Sequence, residues 1–401
     1  MPPAKNSYLP ILAACMLCSS TVVLHDVPRF SDIDKMVEIL EVLGCKTTRN
    51  ERTLTINCEN AVHYKIPEVL AKEIRASVFL LGAILSKLKK AEVSYPGGCD
   101  LGPRPIDLHI KGLQALNVNI TEQHGKLICD ASNFKNDIVH LDFPSVGATE
   151  NIMMVSVLST GITQIINAAK EPEIVDLQNF INSMGGKIYG AGTGTITVVG
   201  VNKLHGTEYT AIPDRIIAGT YIIAAAAAGG EILIKNVNYQ HIYSLIAKFK
   251  NSSCKITAEN DKIRVQSNKR LNSIAQIETQ PYPGFATDLQ AQIMVLECIS
   301  KGTSVITENV FETRFKHAAE LAKMGADITL KGRTAIVRGT DKLYGAEVTG
   351  SDLRAGAALT IAGLVAGGTT VVHNVSQIDR GYEKLEEALS RLGADIRRMT
   401  E

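Results

Sequence analysis

The chain has no tryptophan, and aromatic residues make up only 5% of its 401 positions. Large rings therefore do little of the packing, and 32 glycines point instead to close approach of small side chains. An excess of charge of either sign is also missing. Lys plus Arg is 42 and Asp plus Glu is 41, for a net charge of +1. A general polyanion binder carries a basic surplus, so that class is excluded. No apolar run approaches the ~18 residues that a membrane span needs. The most apolar stretch, Ile222 to Ala228, is short and rich in alanine. What remains is an ordinary globular composition, 45% apolar and 21% charged. At this length two domains are the expectation.

Eight cysteines are spread along the chain rather than clustered, which favours reduced thiols and a cytoplasmic setting. Cys15 and Cys18 have metal-site spacing, but no second pair completes a site, and both lie in or beside the apolar run Ile11 to Leu17. They are expected to be small core residues on a helix. Leu12-Ala13-Ala14-Cys15 resembles a lipoprotein cleavage site. Its only basic residue is Lys5, however, and the apolar stretch from Tyr8 to Ala14 is seven residues long. The same segment matches an internal repeat, so a folded helix is expected there.

Six segments end a helix on a small or turn residue and then begin a strand. They are Leu43-Gly44, Leu116-Asn117, Met184-Gly185, Ser252-Ser253, Met324-Gly325 and Leu392-Gly393, spaced 73, 68, 68, 72 and 68 residues apart. Glycine suits the left-handed conformation that closes a helix. Asparagine tolerates it, and serine does so less well. Each unit reads in one order. An extended stretch (Leu204 to Ile212, Leu343 to Thr349) precedes a small-residue helix (Ile217 to Ala228, Ala355 to Ala366). A short strand follows (Glu231 to Lys235, Thr369 to His373), then an amphipathic helix (Tyr382 to Leu392) and a hairpin (Asp327 to Arg338). Such units close around a pseudo-threefold axis with the alanine-rich helices inside. The first unit opens almost at its helix, so an initial strand is expected to be missing before residue 1.

Basic residues recur near helix starts or adjoining loops: Lys5, Arg75, Arg104, Arg215, Arg314, Arg354 and Arg380. Helix N-termini and guanidinium groups together hold anions, so two facing domains would form an anionic-ligand cleft. Pro96 to Asp107 is a Gly- and Pro-rich loop, in which Arg104 is near enough to influence the ionisation of Cys99. Asp288 opens a small-residue helix. N-capping is its default role, and a base facing the cleft is the alternative. Glu171 and Glu173 flank Pro172 in what reads as a polar loop of structural character. Tyr189 to Gly194 resembles a dinucleotide fingerprint but opens no helix, so it is expected to be a hairpin turn between Gly185–Ile188 and Thr195–Val199.

These motifs together resemble one family, the UDP-N-acetylglucosamine 1-carboxyvinyltransferases, which begin bacterial peptidoglycan synthesis. The resemblance runs from Ala4 to Arg397. It rests on Ala4-Lys5-Asn6, Leu9 to Leu12, Pro96 to Leu108, Phe143 to Thr149, Glu171 to Asp176, Phe285 to Gln292, Val310 to Phe315, Asp352 to Ala355 and Ile378 to Glu383. It implies a two-domain inside-out α/β barrel of six repeated units, three per domain. Residues 4–212 would carry the Cys99 loop and residues 213–401 would form the second domain, with the linker near Ala211-Ile212-Pro213. It implies transfer of the enolpyruvyl group of phosphoenolpyruvate to the 3′-hydroxyl of UDP-N-acetylglucosamine, with release of phosphate and no metal or organic cofactor. Roles in cell-wall biogenesis, cell shape, cell cycle and cell division come with that activity.

By the same resemblance Cys99 is the general acid and the thiol that fosfomycin alkylates, and Asp288 is the general base. Lys5, Arg104 and Arg380 clamp phosphate and carboxylate, with Arg314 and Arg354 nearby. Asn6, Arg75, Pro105, Ile106, Asp107, Leu108, Ser145, Val146 and Val310 contact the sugar nucleotide or lie beside it. Gly97-Gly98 would be the hinge of a closing loop. Two other readings stand beside this one. A non-catalytic paralogue, truncated at its start, would bind the sugar nucleotide without turnover. The shikimate-pathway enolpyruvyl transferase shares the fold, but it lacks a cysteine in this loop, and Cys99 argues against it.

Overall fold

The structure, a computed structural model, describes residues 1–95, 106–267 and 270–399. The chain forms two compact units. The N-terminal unit holds residues 2–95 and 106–212, and the C-terminal unit holds residues 213–267 and 270–399 together with Met1.

In the N-terminal unit the inner helices are Lys5–Cys15, Leu80–Leu88 and Val146–Val157. They are buried almost throughout because their side chains are small or apolar on every face. Gly82 shows how close they come: a Cβ added there would lie 2.4 Å from the backbone oxygen of Asn151. Three sheets surround the helices. Glu208–Tyr209 runs parallel to Thr21–Leu24, which continues to Thr53–Asn57 and Lys46–Asn50. Lys126–Asp130 lies between Lys90–Ser94 and Asn119–Gln123. Ile138–His140 runs parallel to Ile162–Ile166, followed by Thr195–Val199 and Lys187–Tyr189. Alternation sets the buried face: Val22 and Leu24, Leu54 and Ile56, Ile196 and Val198 point inward. Amphipathic helices Ser31–Val42, Asp107–Ala115 and Pro172–Ser183 complete the repeats.

The C-terminal unit repeats the plan. Helices Arg215–Ala228, Gln290–Ile299 and Leu353–Val365 pack on one another. Two of them begin on a buried aspartate cap. Asp214 accepts from the amides of Ile216 and Ile217, and Asp352 from those of Arg354 and Ala355. A buried helix start needs such a partner for its free N–H groups. One sheet places Lys262–Ser267 between Gly230–Lys235 and Lys255–Glu259. Another runs Gln276–Glu278, Thr303–Thr307, Thr334–Arg338, Asp327–Lys331. Two short parallel pairs join Leu343–Tyr344 to Ala366–Gly367 and Glu347–Thr349 to Val371–His373. Met1 lies at the end of Gly230–Lys235, its amino group 2.6 Å from the carbonyl oxygen of Lys235.

Five of the six repeat markers take the left-handed conformation: Gly44, Asn117, Gly185, Gly325 and Gly393. Ser253 is the exception. Its helix tightens into a 3-10 turn, Phe249–Asn251, and Ser252 is already extended, with φ −88° and ψ 164°. A serine at positive φ would carry the Cβ strain that glycine avoids. Tyr189 to Gly194 joins two antiparallel strands, as its glycines suggested. Cys15 and Cys18 are buried thiols.

Three expectations are corrected. Glu173 is not in a polar loop: the helix begins at Pro172, which suits a first-turn position, Glu173 is buried in it, and Glu171 alone remains in the preceding loop. The helix expected over Tyr382 to Leu392 is shorter, Leu385–Arg391, because Lys384 has φ +49° and breaks the run. That break frees Tyr382 to bury its ring. Not every thiol is free either: Cys45 and Cys58 are joined as a disulfide, with Cα atoms 4.3 Å apart. The register explains the pairing, since Lys46 faces Asn57 and the next residues outward therefore face each other.

Candidate functional site

In the N-terminal unit, Lys5 is the first residue of its helix, and its ammonium group sits 2.6 Å from Asp32 with both side chains buried. Asn6 beside it is half-buried. Arg75 opens the 3-10 turn Arg75–Phe79. Ile106 is buried, Asp107 is exposed and Leu108 is half-buried, at the start of helix Asp107–Ala115. Ser145 caps helix Val146–Val157 by accepting from the amide of Ala148 at 3.4 Å.

The first turns of these two helices touch. A Cβ on Gly147 would come 2.8 Å from the ring of His109 and 2.9 Å from that of Phe79. His109 was not marked by any sequence motif. Asn151 donates to its Nδ1 at 2.7 Å, which leaves the proton on Nε2. Asn151 also accepts from the amide of Gly82 at 2.7 Å and donates to the Val78 carbonyl at 3.0 Å. Burial first, and then the charge of Arg75, push the imidazole down to about 3, so it stays neutral.

In the C-terminal unit, Asp288 does not cap its helix. A short 3-10 turn, Thr287–Leu289, precedes Gln290–Ile299 and turns the carboxylate away from the helix start. Its oxygens instead take Arg314 at 2.9 Å and Arg354 at 3.3 Å. Both guanidinium groups are buried, and a quarter of the aspartate side chain remains accessible. Burial pushes the carboxyl group up, but Arg354, Arg314 and Arg215 together outweigh it and hold it well below the usual carboxylate range. Asp288 is therefore ionised at neutral pH and open on one side. The buried Nε atoms of both arginines have no hydrogen-bond partner among the described residues. An accessible carboxylate backed by two guanidinium groups can accept a hydrogen bond from a hydroxyl group.

Buried Glu308, also unmarked in the sequence, fixes the surrounding turns. It accepts from the hydroxyls of Thr279 and Thr287 and from the amides of Val310 and Phe311, all within 3.0 Å. That ties half-buried Val310 to the residue preceding Asp288. Arg380 is half-buried and donates to Gln377 at 3.1 Å. Arg215 lies over the Tyr282 ring, 5.5 Å from its centroid. Cys99, Arg104, Pro105 and the Gly97-Gly98 pair lie outside the described residues.

The fold is that of an enolpyruvyl transferase. The family model for EPSP synthase (3-phosphoshikimate 1-carboxyvinyltransferase) matches residues 1–389. Among solved structures, the enolpyruvyl transferase NikO from Streptomyces tendae superposes with a TM-score of 0.89 at 23% identity, covering 99% of this chain and 94% of that one. The EPSP synthase from Acinetobacter baumannii gives 0.74 at 17% identity, over 98% and 95% of the two chains. These two likenesses carry the fold alone.

Sequence relatives are more specific. UDP-N-acetylglucosamine 1-carboxyvinyltransferase 2 of Caldanaerobacter subterraneus subsp. tengcongensis is 52% identical, over 99% of this chain and 95% of its own length. The protein of that name from Carboxydothermus hydrogenoformans is 49% identical over 99% and 95%. The chain belongs to the UDP-N-acetylglucosamine 1-carboxyvinyltransferase family.

Proposed function

We propose that this protein transfers the enolpyruvyl group of phosphoenolpyruvate to the 3′-hydroxyl of UDP-N-acetylglucosamine, releasing phosphate, in the cytoplasm, as the opening step of peptidoglycan synthesis. The observation that carries the reading is Asp288, an ionised, accessible carboxylate braced by two buried arginines, in a chain half identical to enzymes of that name.

Cys99 supplies the proton that the methylene carbon takes up, and the positive charge that develops at the neighbouring carbon draws the sugar hydroxyl. Asp288 accepts the hydroxyl proton, and loss of a proton from the new methyl group then restores the double bond as the bond to phosphate breaks. Lys5, Arg104 and Arg380 hold the phosphate and carboxylate, where charge changes most. Arg314 and Arg354 hold Asp288. Asn6, Arg75, Pro105, Ile106, Asp107, Leu108, Ser145, Val146 and Val310 bind the sugar nucleotide.

The test is phosphate release from phosphoenolpyruvate, with UDP-N-acetylglucosamine, with shikimate 3-phosphate, or with neither, for wild type, Cys99→Ala and Asp288→Asn. Release that needs the sugar nucleotide and falls by at least about a hundredfold in both variants is expected. Release driven by shikimate 3-phosphate, or a folded wild type that binds the sugar nucleotide without turnover, would refute the proposal.

A further inference from the structure

Behind Arg354 lie three buried polar side chains, Tyr382, Thr220 and Gln292, to which the sequence motifs assign no role. Tyr382 sits in the linker between the short helix Ser376–Asp379 and helix Leu385–Arg391. Thr220 lies on helix Arg215–Ala228, Gln292 on helix Gln290–Ile299 and Arg354 on helix Leu353–Val365. All four are buried. The three inner helices of the unit thus each send one polar group to the same point.

The hydrogen bonds there have a fixed direction. Thr220 spends its one proton on the Ile216 carbonyl at 2.8 Å. Its 2.8 Å contact with the Tyr382 hydroxyl must therefore be donated by the tyrosine. Having given its only proton to Thr220, Tyr382 can only accept from others. It accepts from Arg354 Nη1 at 3.1 Å and from Gln292 Nε2 at 3.3 Å. Gln292 Nε2 also reaches Thr220 at 3.2 Å. Both hydroxyls are then saturated, each with one bond donated and two accepted. The chain runs one way, from Arg354 through Tyr382 and Thr220 to the backbone of the first inner helix. Its other end is Arg354 Nη2 on Asp288, 3.3 Å away.

We infer that Tyr382 and Thr220 are positioning residues for the reaction. They present a pure acceptor to the back of Arg354, so that its guanidinium plane is fixed toward Asp288. The inference rests on the assignment of Asp288 as the base. Loss of the Tyr382 hydroxyl leaves Arg354 Nη1 without its acceptor in a site that water barely reaches, and the guanidinium must turn to find another. The ring packing is untouched by that change. Loss of the Thr220 hydroxyl frees the Tyr382 proton to rotate toward Arg354, which turns an acceptor into a donor facing a cation. The two changes therefore predict the same defect from different residues.

The experiment compares full-length wild type, Tyr382→Phe, Thr220→Val, Thr220→Ser and Asp288→Asn. It measures kcat, KM for both substrates, and thermal midpoint. Tyr382→Phe and Thr220→Val are expected to lower kcat about tenfold or more while KM stays within about threefold, because a hydrogen bond to a charged group is lost where the base is aligned. Thr220→Ser keeps the hydroxyl and is expected to restore most of kcat. A Tyr382→Phe enzyme with kcat within about twofold of wild type, alongside an inactive Asp288→Asn, overturns the positioning role and leaves the base in place. So does a kcat loss in Tyr382→Phe that vanishes at temperatures below its lowered midpoint, since that marks a purely structural part. Full activity of Asp288→Asn overturns the base assignment and this inference with it.

Discussion

Asp288→Asn should destabilise the protein as well as inactivate it, and by an amount that depends on pH. The carboxylate pairs with Arg314 at 2.9 Å and Arg354 at 3.3 Å, and both guanidinium groups are buried. Asparagine keeps an acceptor oxygen but removes the charge, so two buried cations then face each other uncompensated. Breaking a buried pair costs about 3–5 kcal/mol. A quarter of the Asp288 side chain meets solvent, which discounts the loss to about 2–3 kcal/mol. For a unit of this size that corresponds to a fall in thermal midpoint of about 5–10 °C near neutral pH.

The pH dependence follows from the depressed carboxyl. Its contribution is complete above the unfolded value, near 3.9, and is lost as pH falls below it, by about 1.4 kcal/mol per pH unit. The gap between wild type and variant should therefore shrink by about 1 kcal/mol between pH 7 and pH 3. Differential scanning calorimetry at the two pH values reads both effects. A variant midpoint equal to or above that of wild type at pH 7, or a gap that does not change with pH, refutes the reasoning.

Other predictions follow from single buried groups. Glu150 is fully buried with both oxygens unpaired among the described residues, and burial, then Glu173 and Glu171, hold its carboxyl well above the usual range. Its unfolded form releases a proton that the folded form keeps, so wild-type stability falls as pH rises above about 4.5. Glu150→Gln should raise the midpoint by a margin that grows as pH rises above about 5, and a constant margin in thermal scans would contradict this. His109, held down to about 3, works in the opposite sense: stability is lost as pH falls from about 6.5 toward 3, and a His109→Gln protein should show a flatter acid limb in the same scans. Gly82→Ala gains helix propensity but drives a methyl group into the Asn151 backbone. A net loss of about 2 kcal/mol is expected in urea unfolding, and a stabilised variant would show that the two helices part easily.

Much of the architecture is legible in local residue chemistry. Gly44, Gly185, Gly325 and Gly393 mark helix ends because only a residue without a Cβ enters the left-handed region freely, and Asn117 follows them. The inner helices can be read from their small, apolar side chains, since no other composition permits the approach seen at Gly82. Lys5, Arg75, Arg215 and Arg354 at helix starts are equally visible, because position along a helix is a local property. Tertiary structure decided what those residues face. Asp288 reads as a cap in the sequence and becomes the partner of two arginines from segments 26 and 66 residues away. Tyr382 reads as part of an amphipathic helix and instead closes a polar chain onto Thr220, 162 residues distant. Cys45 and Cys58 pair because of strand register, and His109 is neutral because of what surrounds it. Helix ends and strand faces follow from steric preferences of neighbouring residues. Charge state and hydrogen-bond direction depend on groups brought together across the chain, and only the folded packing supplies them.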